Sequence, residues 1–244
     1  QHYDANMSQV FFNELGIPAA DINLNVSSGA HGAMTARMID GIEQVLLRKE
    51  HDVVLLYGDT NSTLAGAVAA AKLHVPVAHV EAGLRSFNKR MPEEINRIVC
   101  DHCSTWLFCP TDTAVNNLRN EGFRGSNDRA PTADLPHVVQ SGDVMYDNSL
   151  HFAALARERS AILRDLGLTP GSFVLVTVHR DHNTDDPARL NAIFGTLLDL
   201  HRRHGLAFVL PVHPRTRKMM DGLLEPSIRQ ALEGSPGFHL VPPA

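Results

Sequence analysis

The chain has 244 residues, of which 43% are hydrophobic and 20% charged, and its formal net charge is −5. These values are typical of a globular protein with a buried core. The negative balance disfavours nucleic acid and anionic membranes as partners, because both are bound by basic surfaces. No apolar run reaches the roughly 18 residues of a membrane span, and no signal peptide is visible. We therefore expect neither a nucleic-acid nor a membrane partner.

Predicted strands and helices alternate along the first part of the chain. The strand-like stretches are "DVVLLYG", "VPVAHV" and "LFCPT", and a further stretch, "HVVQSGDVMYD", follows a looser segment. The helical stretches between them are "STLAGAVAAAKLH", "MPEEINRIVCDHCSTW" and "DTAVNNLRNEG". Strands that are apolar on both faces and alternate with helices predict an α/β fold with a parallel, doubly wound sheet. The stretch 124–137 is rich in turn-forming residues and is predicted to be a surface loop.

A second α/β unit follows the first. A long helical stretch after Asp147 leads to the strand "SFVLVTVHR", the helix "DDPARLNAIFGTLLDLHRRHG" and the strand "LAFVLPVHPRT". We predict an N-terminal α/β domain over residues 1–148 and a second, incomplete one over residues 149–244. The chain begins at Gln1 rather than at a methionine and stops just after a predicted strand. We therefore expect it to be a piece of a longer protein.

The three cysteines, Cys100, Cys103 and Cys109, lie in one short stretch. An odd, clustered set is no disulfide framework and is typical of a reducing compartment, so we expect a cytoplasmic protein. Cys100, His102 and Cys103 resemble part of a zinc motif. No second Cys or His pair follows at zinc-finger spacing, however, and the segment has helical periodicity. We therefore predict a structural helix and no metal site.

Polar side chains follow four of the predicted strands. Ligands of parallel sheets bind beyond the carboxyl ends of the strands, where such side chains meet. These residues are Asp59, Glu81, the pair His179 and Arg180, and the pair His213 and Arg215. The chain has neither a lysine-containing phosphate loop nor a dinucleotide glycine pattern, so a nicotinamide cofactor has no support.

Each candidate acid also has a structural interpretation. Asp59, in "GDTNST", could cap the next helix, and Glu81 could pair with Arg85 or with a helix N-terminus. Glu93 and Glu94 stand in the first turn of a predicted helix, where acids complement the helix dipole. A carboxyl group at the mouth of a buried sheet has its pKa raised by burial, as acid–base catalysis requires. We favour a functional interpretation for Asp59 and Glu81.

The stretches "HRDHNTDD" and "HPRTRK" place histidine and arginine directly before helices. Cationic side chains beside a helix N-terminus form anion sites that suit phosphate. The alternative is ordinary loop polarity with an Asp or Thr cap. Two such stretches in one half of the chain favour a diphosphate ligand.

Five stretches occur in an order that resembles one known family. They are "QHYDANMS", "YGDTNSTLAGAVAAAKLHVPVAHVEAGLRSFNKRMPEEINR", "SGDVMYD", "VTVHRDHNTDD" and "PVHPRT". The chain is similar to the non-hydrolysing UDP-N-acetylglucosamine 2-epimerases over nearly its whole length, except the 124–137 loop. The 2-epimerases of UDP-2,3-diacetamido-glucuronic acid share most of these motifs. The resemblance implies the glycosyltransferase-B (GT-B) fold class, which has two Rossmann-like domains.

The resemblance implies a reaction at C2 of a UDP-N-acetylhexosamine substrate. UDP leaves by anti elimination across C1–C2 and adds back with C2 inverted, which requires no cofactor. The product, UDP-N-acetylmannosamine, would supply surface polysaccharide, and the full-length protein would be a homodimer. Alternatives of another class are a GT-B glycosyltransferase and a non-catalytic sugar-nucleotide sensor.

The resemblance also implies roles for individual residues. The acid–base set is Asp59, Glu81 and Glu93, and His179 is the catalytic-site histidine near the leaving phosphate. The residues that bind UDP are Arg180, His213 and Arg215. The residues of a second, regulatory UDP-N-acetylglucosamine site are Gln1, His2, Arg180 and His213.

The chain departs from the family pattern in three places. The family usually has a glutamate where this chain has His182, which replaces an anion by an imidazole near Arg180. The family's Gly-Thr-Arg-Pro-Glu loop would precede Gln1, and its Ser-Gly-Gly…Glu-Glu segment would follow Ala244. We therefore expect part of the nucleotide site to lie outside this chain.

Overall fold

The computed structural model describes Phe12 and residues 15–27, 29–124 and 129–242. The chain divides into two compact units, Gln1–Ala154 and Leu155–Ala244. Each unit is built on one parallel sheet with helices in the connections between its strands. The predicted α/β fold class with two Rossmann-like units is confirmed.

The sheet of the first unit has four parallel strands in the spatial order β1-β2-β3-β4. These strands are β1 (Val54–Tyr57), β2 (Val77–Val80), β3 (Trp106–Cys109) and β4 (His137–Gln140). The helices are α1 (His31–Leu46), α2 (Asn61–Lys72), α3 (Pro92–Cys103), α4 (Asp112–Asn120) and α5 (Val144–Arg159). The division between the units falls inside α5.

Small residues let α2 pack closely against β1. Ala65, Ala69 and Ala70 are at most 1% exposed. A Cβ atom on Gly66 would lie 2.6 Å from the side chain of Leu56, a distance that side chains do not tolerate without movement. Interiors are packed too densely to absorb such a group cheaply. The close packing therefore holds the end of β1, and with it the loop that follows.

The second unit has three parallel strands in the order β5-β6-β7. They are β5 (Phe173–Leu175), β6 (Ala207–Pro211) and β7 (Phe238–Val241). The helices are α6 (Ile162–Asp165), α7 (Asp181–Thr184), α8 (Pro187–His204), α9 (Pro214–Leu223) and α10 (Pro226–Gly234).

The core of the second unit lies between α8 and the sheet. Leu190, Phe194 and Leu198 recur every fourth residue, so they form one apolar stripe along α8. They belong to the same buried cluster as Phe208 and Leu210 of β6. This packing supports β6 from one side and fixes where its carboxyl end lies.

Local signals set both ends of α8. The side chain of Asp186 accepts hydrogen bonds from the amides of Ala188 and Arg189, which no helical carbonyl could satisfy. Pro187 occupies the first turn, and Gly205 ends the helix with a left-handed φ of 65°. The predicted start and stop of this helix are confirmed.

One detail differs from the sequence-based assignment. Trp106 was predicted at the end of a helix, but α3 ends at Cys103 and Trp106 begins β3. The Ser104 hydroxyl donates to the Cys100 carbonyl at 2.7 Å, which caps the freed end of the helix. The predicted structural helix over the cysteine segment is confirmed, and all three thiols are free. Among the described residues, no helix is long and apolar enough to cross a membrane.

Phe194→Ala should reduce the free energy of unfolding of the second unit by about 3–5 kcal/mol, because it leaves a cavity in the centre of the core. Urea denaturation followed by far-UV circular dichroism measures the loss. The matched control is Phe87→Ala, since Phe87 is 80% exposed and a surface change costs about 0.5 kcal/mol or less. Equal effects of the two substitutions would contradict the assignment of the core.

Candidate active site

Two of the predicted acids meet at the carboxyl edge of the first sheet. Asp59 follows β1 and Glu81 follows β2, which is its parallel neighbour. Gly58 and Glu81 both have left-handed φ angles, 66° and 71°, so the chain turns sharply at both strand ends. A Cβ atom on Gly58 would lie 3.5 Å from the Glu81 carboxylate. The Glu81 side chain therefore lies over the loop that carries Asp59.

Asp59 is held from α3 and does not cap α2. Arg97 donates to the Asp59 carboxylate at 2.6 Å, and Asn96 donates to the Asp59 carbonyl at 2.8 Å. The cap of α2 is Thr60, whose hydroxyl accepts from the Thr63 amide and whose amide donates back to Thr63. The capping interpretation of Asp59 is therefore wrong, and its carboxylate is oriented by a cation.

Glu94 has a structural role. Its carboxylate is 1% exposed and accepts hydrogen bonds from the amides of Ser86 and Phe87 and from Arg97. Burial by itself raises the pKa of Glu94, but these hydrogen bonds outweigh burial and lower the pKa to about 2. Glu94 is thus ionised at neutral pH and anchors the loop between β2 and α3.

Glu93 stands one residue earlier in the first turn of α3 and is half-buried. Within the described part of the chain, its carboxylate has no hydrogen bond or ion pair. The Glu93 carboxylate is therefore available to a ligand, whereas the Glu94 carboxylate is already hydrogen-bonded within the protein.

The environment of Glu81 favours the neutral form of its side chain. Its pKa is raised, first by burial and then by the negative charges of Asp59 and Asp143, while His79 and Arg97 oppose the rise. Asp143 follows β4 and caps the start of α5 through the amides of Met145 and Tyr146. A carboxyl with a raised pKa near a carboxylate paired with arginine is an arrangement suited to acid–base chemistry.

The alternative pairing of Glu81 with Arg85 is wrong. Arg85 donates to both carboxylate oxygens of Glu121 at 2.7 Å and lies 2.8 Å from the Asp101 carboxylate. Among the described residues, Glu81 therefore makes no ion pair with Arg85 or with any other cation.

Sequence reasoning missed Arg97, Asn96 and Asp143. Arg97 was detectable, since it stands three residues after Glu94 and so shares its face of α3. The Asn96 contact spans 37 residues to Asp59, and no local pattern indicates it.

In the second unit, the predicted cations gather after two neighbouring strands. His179 and Arg180 follow β5, and His213 follows β6, which is parallel to β5. The Thr216 hydroxyl donates to the Val178 carbonyl at 3.0 Å, which draws the start of α9 to this edge. His179, Arg180 and His213 are exposed, so the edge presents cationic and imidazole groups to solvent.

Backbone geometry at this edge is unusual at Arg180, which has a left-handed φ of 74°. Its carbonyl accepts from the amides of Asn183 and Thr184, both at 3.0 Å. Neither His179 nor Arg180 has a side-chain partner within the described part of the unit. Both side chains are therefore free to receive an anion.

His213 and Arg215 already have partners. The His213 Nδ1 atom accepts from the Arg215 amide at 3.2 Å, so His213 caps α9. Arg215 donates to both carboxylate oxygens of Asp185, at 2.8 and 2.6 Å, and to Thr184. His182, which stands where a glutamate was expected, is exposed, with its Nδ1 atom 3.9 Å from Asp181. Gln1 and His2 lie outside the described residues.

The family model described as UDP-N-acetylglucosamine 2-epimerase matches residues 1–244. The chain belongs to the UDP-N-acetylglucosamine 2-epimerase family. A curated relative, the UDP-2,3-diacetamido-2,3-dideoxy-D-glucuronate 2-epimerase of Pseudomonas aeruginosa, is 51% identical over 91% of this chain and 59% of its own length. The UDP-N-acetylglucosamine 2-epimerase of Methanocaldococcus jannaschii is 40% identical over 90% of this chain and 58% of its own length. The family assignment from sequence motifs is confirmed.

Solved structures of this epimerase family agree with the fold. The M. jannaschii enzyme in complex with UDP-GlcNAc and UDP superimposes with a TM-score of 0.83 at 37% identity, covering 100% of this chain and 64% of that one. The Neisseria meningitidis enzyme bound to UDP-GlcNAc gives a TM-score of 0.78 at 28% identity, covering 99% and 62%. The chain thus spans less than two thirds of the relatives it matches.

Glu94→Gln should reduce the free energy of unfolding at pH 7 by about 3 kcal/mol, the equivalent of a pKa lowered from 4.5 to about 2. Because the folded pKa lies below the unfolded one, this stabilisation is complete above about pH 4.5 and disappears as the pH falls toward 2. Urea denaturation between pH 3 and 7 measures the difference from wild type.

The matched control is Glu93→Gln on the same helical turn, which should change stability by about 0.5 kcal/mol or less. Equal losses in the two variants, or a loss for Glu94→Gln that does not shrink at low pH, would contradict the separation of roles.

Proposed function

We propose that this chain is part of an enzyme that inverts C2 of a UDP-2-acetamido sugar, by anti elimination of UDP and re-addition to the opposite face. One observation carries the proposal. A partly buried Glu81, with raised pKa, lies over the loop of the arginine-paired Asp59. A carboxyl group of raised pKa beside an arginine-paired carboxylate suits a reaction that takes a proton from one face of a carbon and returns one to the other face.

The acid–base set that we propose is Asp59, Glu81 and Glu93. The C2 proton of the sugar is not acidic, so a positioned base must remove it as the C1–O bond to UDP breaks. Inversion then requires a second group that donates a proton from the other face. Glu93 is available because its neighbour Glu94 takes over the structural contacts of this helical turn. The chemistry takes place on the sugar itself, and we propose no cofactor.

The leaving diphosphate needs cations, which the second unit offers. We propose that His179 acts near the leaving phosphate and that Arg180, His213 and Arg215 bind UDP. Positive groups at the departing oxygen stabilise the charge that develops there. Arg215 would contribute chiefly by holding Asp185 and Thr184, since its guanidinium is already paired. The regulatory UDP-N-acetylglucosamine site with Gln1, His2, Arg180 and His213 is likewise a proposal.

Two substrates fit this reaction. UDP-N-acetylglucosamine is favoured by the matching family model, and its product would be UDP-N-acetylmannosamine for surface polysaccharide. UDP-2,3-diacetamido-glucuronic acid is favoured by the 51% identity to the Pseudomonas enzyme, against 40% to the M. jannaschii enzyme. Because of this higher identity, the diacetamido uronate must be tested beside UDP-N-acetylglucosamine.

We also propose that the full-length protein is a cytoplasmic homodimer. The proposed domain boundary lies after residue 148.

Incubation of the full-length protein in heavy water tests the reaction. The UDP-sugar that is the substrate should be converted in part to its manno epimer, and both epimers should acquire one deuterium at C2, which NMR detects. The substrate is the one that turns over faster. Release of UDP only in the presence of an acceptor would show a glycosyltransferase, and tight binding without C2 exchange would show a sensor. Either outcome would overturn the epimerase proposal.

Glu81→Gln in the full-length enzyme should lower kcat by at least about 100-fold while UDP binding stays within a few-fold, because the proton-transfer group is lost and the shape is kept. Steady-state kinetics and calorimetric titration with UDP measure the two effects. Glu50→Gln, at an exposed position, is the control and should leave both unchanged. Activity of Glu81→Gln close to wild type would contradict an acid–base role.

A further inference from the structure

His79 is a buried polar residue within the apolar strand β2, and its side chain is 0% exposed. Its Nδ1 atom lies 2.7 Å from the Asp101 carboxylate, and its Nε2 atom lies 2.9 Å from the Gly58 carbonyl oxygen. A carbonyl oxygen and an ionised carboxylate can only accept hydrogen bonds. A neutral imidazole has one N–H and would leave one ring nitrogen facing an acceptor. Only the imidazolium satisfies both contacts.

Both oxygens of the partner carboxylate face hydrogen-bond donors, as they do in an ionised carboxylate. Asp101 is 0% exposed and also accepts from the Gly83 amide at 3.1 Å and pairs with Arg85 at 2.8 Å. Arg85 is paired in turn with Glu121. Positive and negative groups alternate from the buried His79 to Glu121, whose side chain is 28% exposed, so each buried charge has an opposite partner, as low-dielectric surroundings require. The cluster thus holds a charge on His79 inside the sheet.

The cluster links the two loops that carry the candidate acids. Gly58, which His79 holds, directly precedes Asp59. Gly83, which Asp101 holds, follows two residues after Glu81. Gly83 cannot vary, because its φ is 76° and a Cβ atom would collide with the Ala114 carbonyl oxygen.

We propose that His79 is a positioning residue whose doubly protonated imidazole ties the Asp59 loop, through the Gly58 carbonyl, to the buried carboxylate of Asp101. The inference rests on the proposed epimerase function of the same site. His79 also places a positive charge two residues from Glu81, on the same strand end. His79 therefore sets the distance between Asp59 and Glu81, and its positive charge weakens the affinity of Glu81 for a proton.

Electrostatics agree with the geometry. Burial lowers the pKa of His79, but Asp101 and the neighbouring Cys100 outweigh burial and raise the pKa to about 10. The same positive charge lowers the pKa of Glu81, in opposition to burial and to the charges of Asp59 and Asp143. Removal of the charge on His79 should therefore move the pKa of Glu81 upward.

The direct test is nitrogen NMR of the full-length protein labelled with ¹⁵N-histidine. His79 should show both ring nitrogens protonated from pH 6 to 8, whatever reaction the protein performs. His74, which is exposed, serves as the control histidine in the same spectra. A neutral tautomer of His79 at pH 7 would overturn the proposal even if epimerase activity is found.

The functional test uses two variants of the full-length enzyme in which an amide N–H can replace one of the two ring N–H groups of His79. His79→Gln can keep the hydrogen bond to the Gly58 carbonyl, and His79→Asn can keep the hydrogen bond to Asp101. Neither variant can make both hydrogen bonds, and neither carries a positive charge. Each should lower kcat about 100-fold, the scale of a small misplacement of catalytic groups, with KM within about 3-fold. The limb of the pH–rate profile that reports Glu81 should move to higher pH.

His74→Gln is the matched control and should change neither kcat nor the profile. If the variants lose stability but the Glu81 limb of the pH–rate profile stays at the same pH, His79 is merely structural and the positioning role is overturned. If wild type itself has no epimerase activity, the proposed function fails instead, and the NMR result still decides the charge state of His79.

Discussion

The parallel pairing of β1 with β2 is the constraint on which the first half of the candidate site depends. Tyr57 stands opposite Val80 in the register, so the two strands end at the same level. The Gly58 amide extends the ladder by one bond to the Val80 carbonyl, at 3.1 Å. Asp59 and Glu81 then leave the sheet side by side. Left-handed turns at Gly58 and Glu81 direct the chain toward the helices that complete the site.

Environment, more than residue type, separates the carboxylates around this edge. Glu94 is buried among hydrogen-bond donors that lower its pKa, and its carboxylate anchors the loop between β2 and α3. Asp59 is oriented by Arg97, which also contacts Glu94. Glu81 is partly buried near other negative groups and has no ion pair in the described part of the chain, so it retains a proton more readily. The arrangement follows a general rule, in which neighbouring acids with different surroundings take different parts in proton transfer.

Much of the fold could be predicted because its signals are local. The apolar strands, the capping sequence before α2, and Pro187 with Gly205 around α8 each act within a few residues. The ends of parallel strands also indicated where the site would form, since strand order places them at one edge. The assignment failed at Trp106, where an apolar aromatic residue fits a helix end and a strand start equally well. Local pattern cannot choose between these, because the neighbouring strands decide.

The sequence by itself determined the element types, the positions of the candidate acids and the family, because periodicity, caps and long motifs are written in consecutive residues. Only the tertiary structure decided which charges meet. The spacing of Glu81 and Arg85 suggested a pair, yet the fold brings Arg85 to Glu121, 36 residues away in the chain. The fold likewise places His79 against Asp101, so a strand that looks apolar in sequence contains a buried ion pair in the proposed charge state. The physical reason is that an ion pair depends on distance and solvent exclusion in three dimensions, and neither is encoded in local spacing.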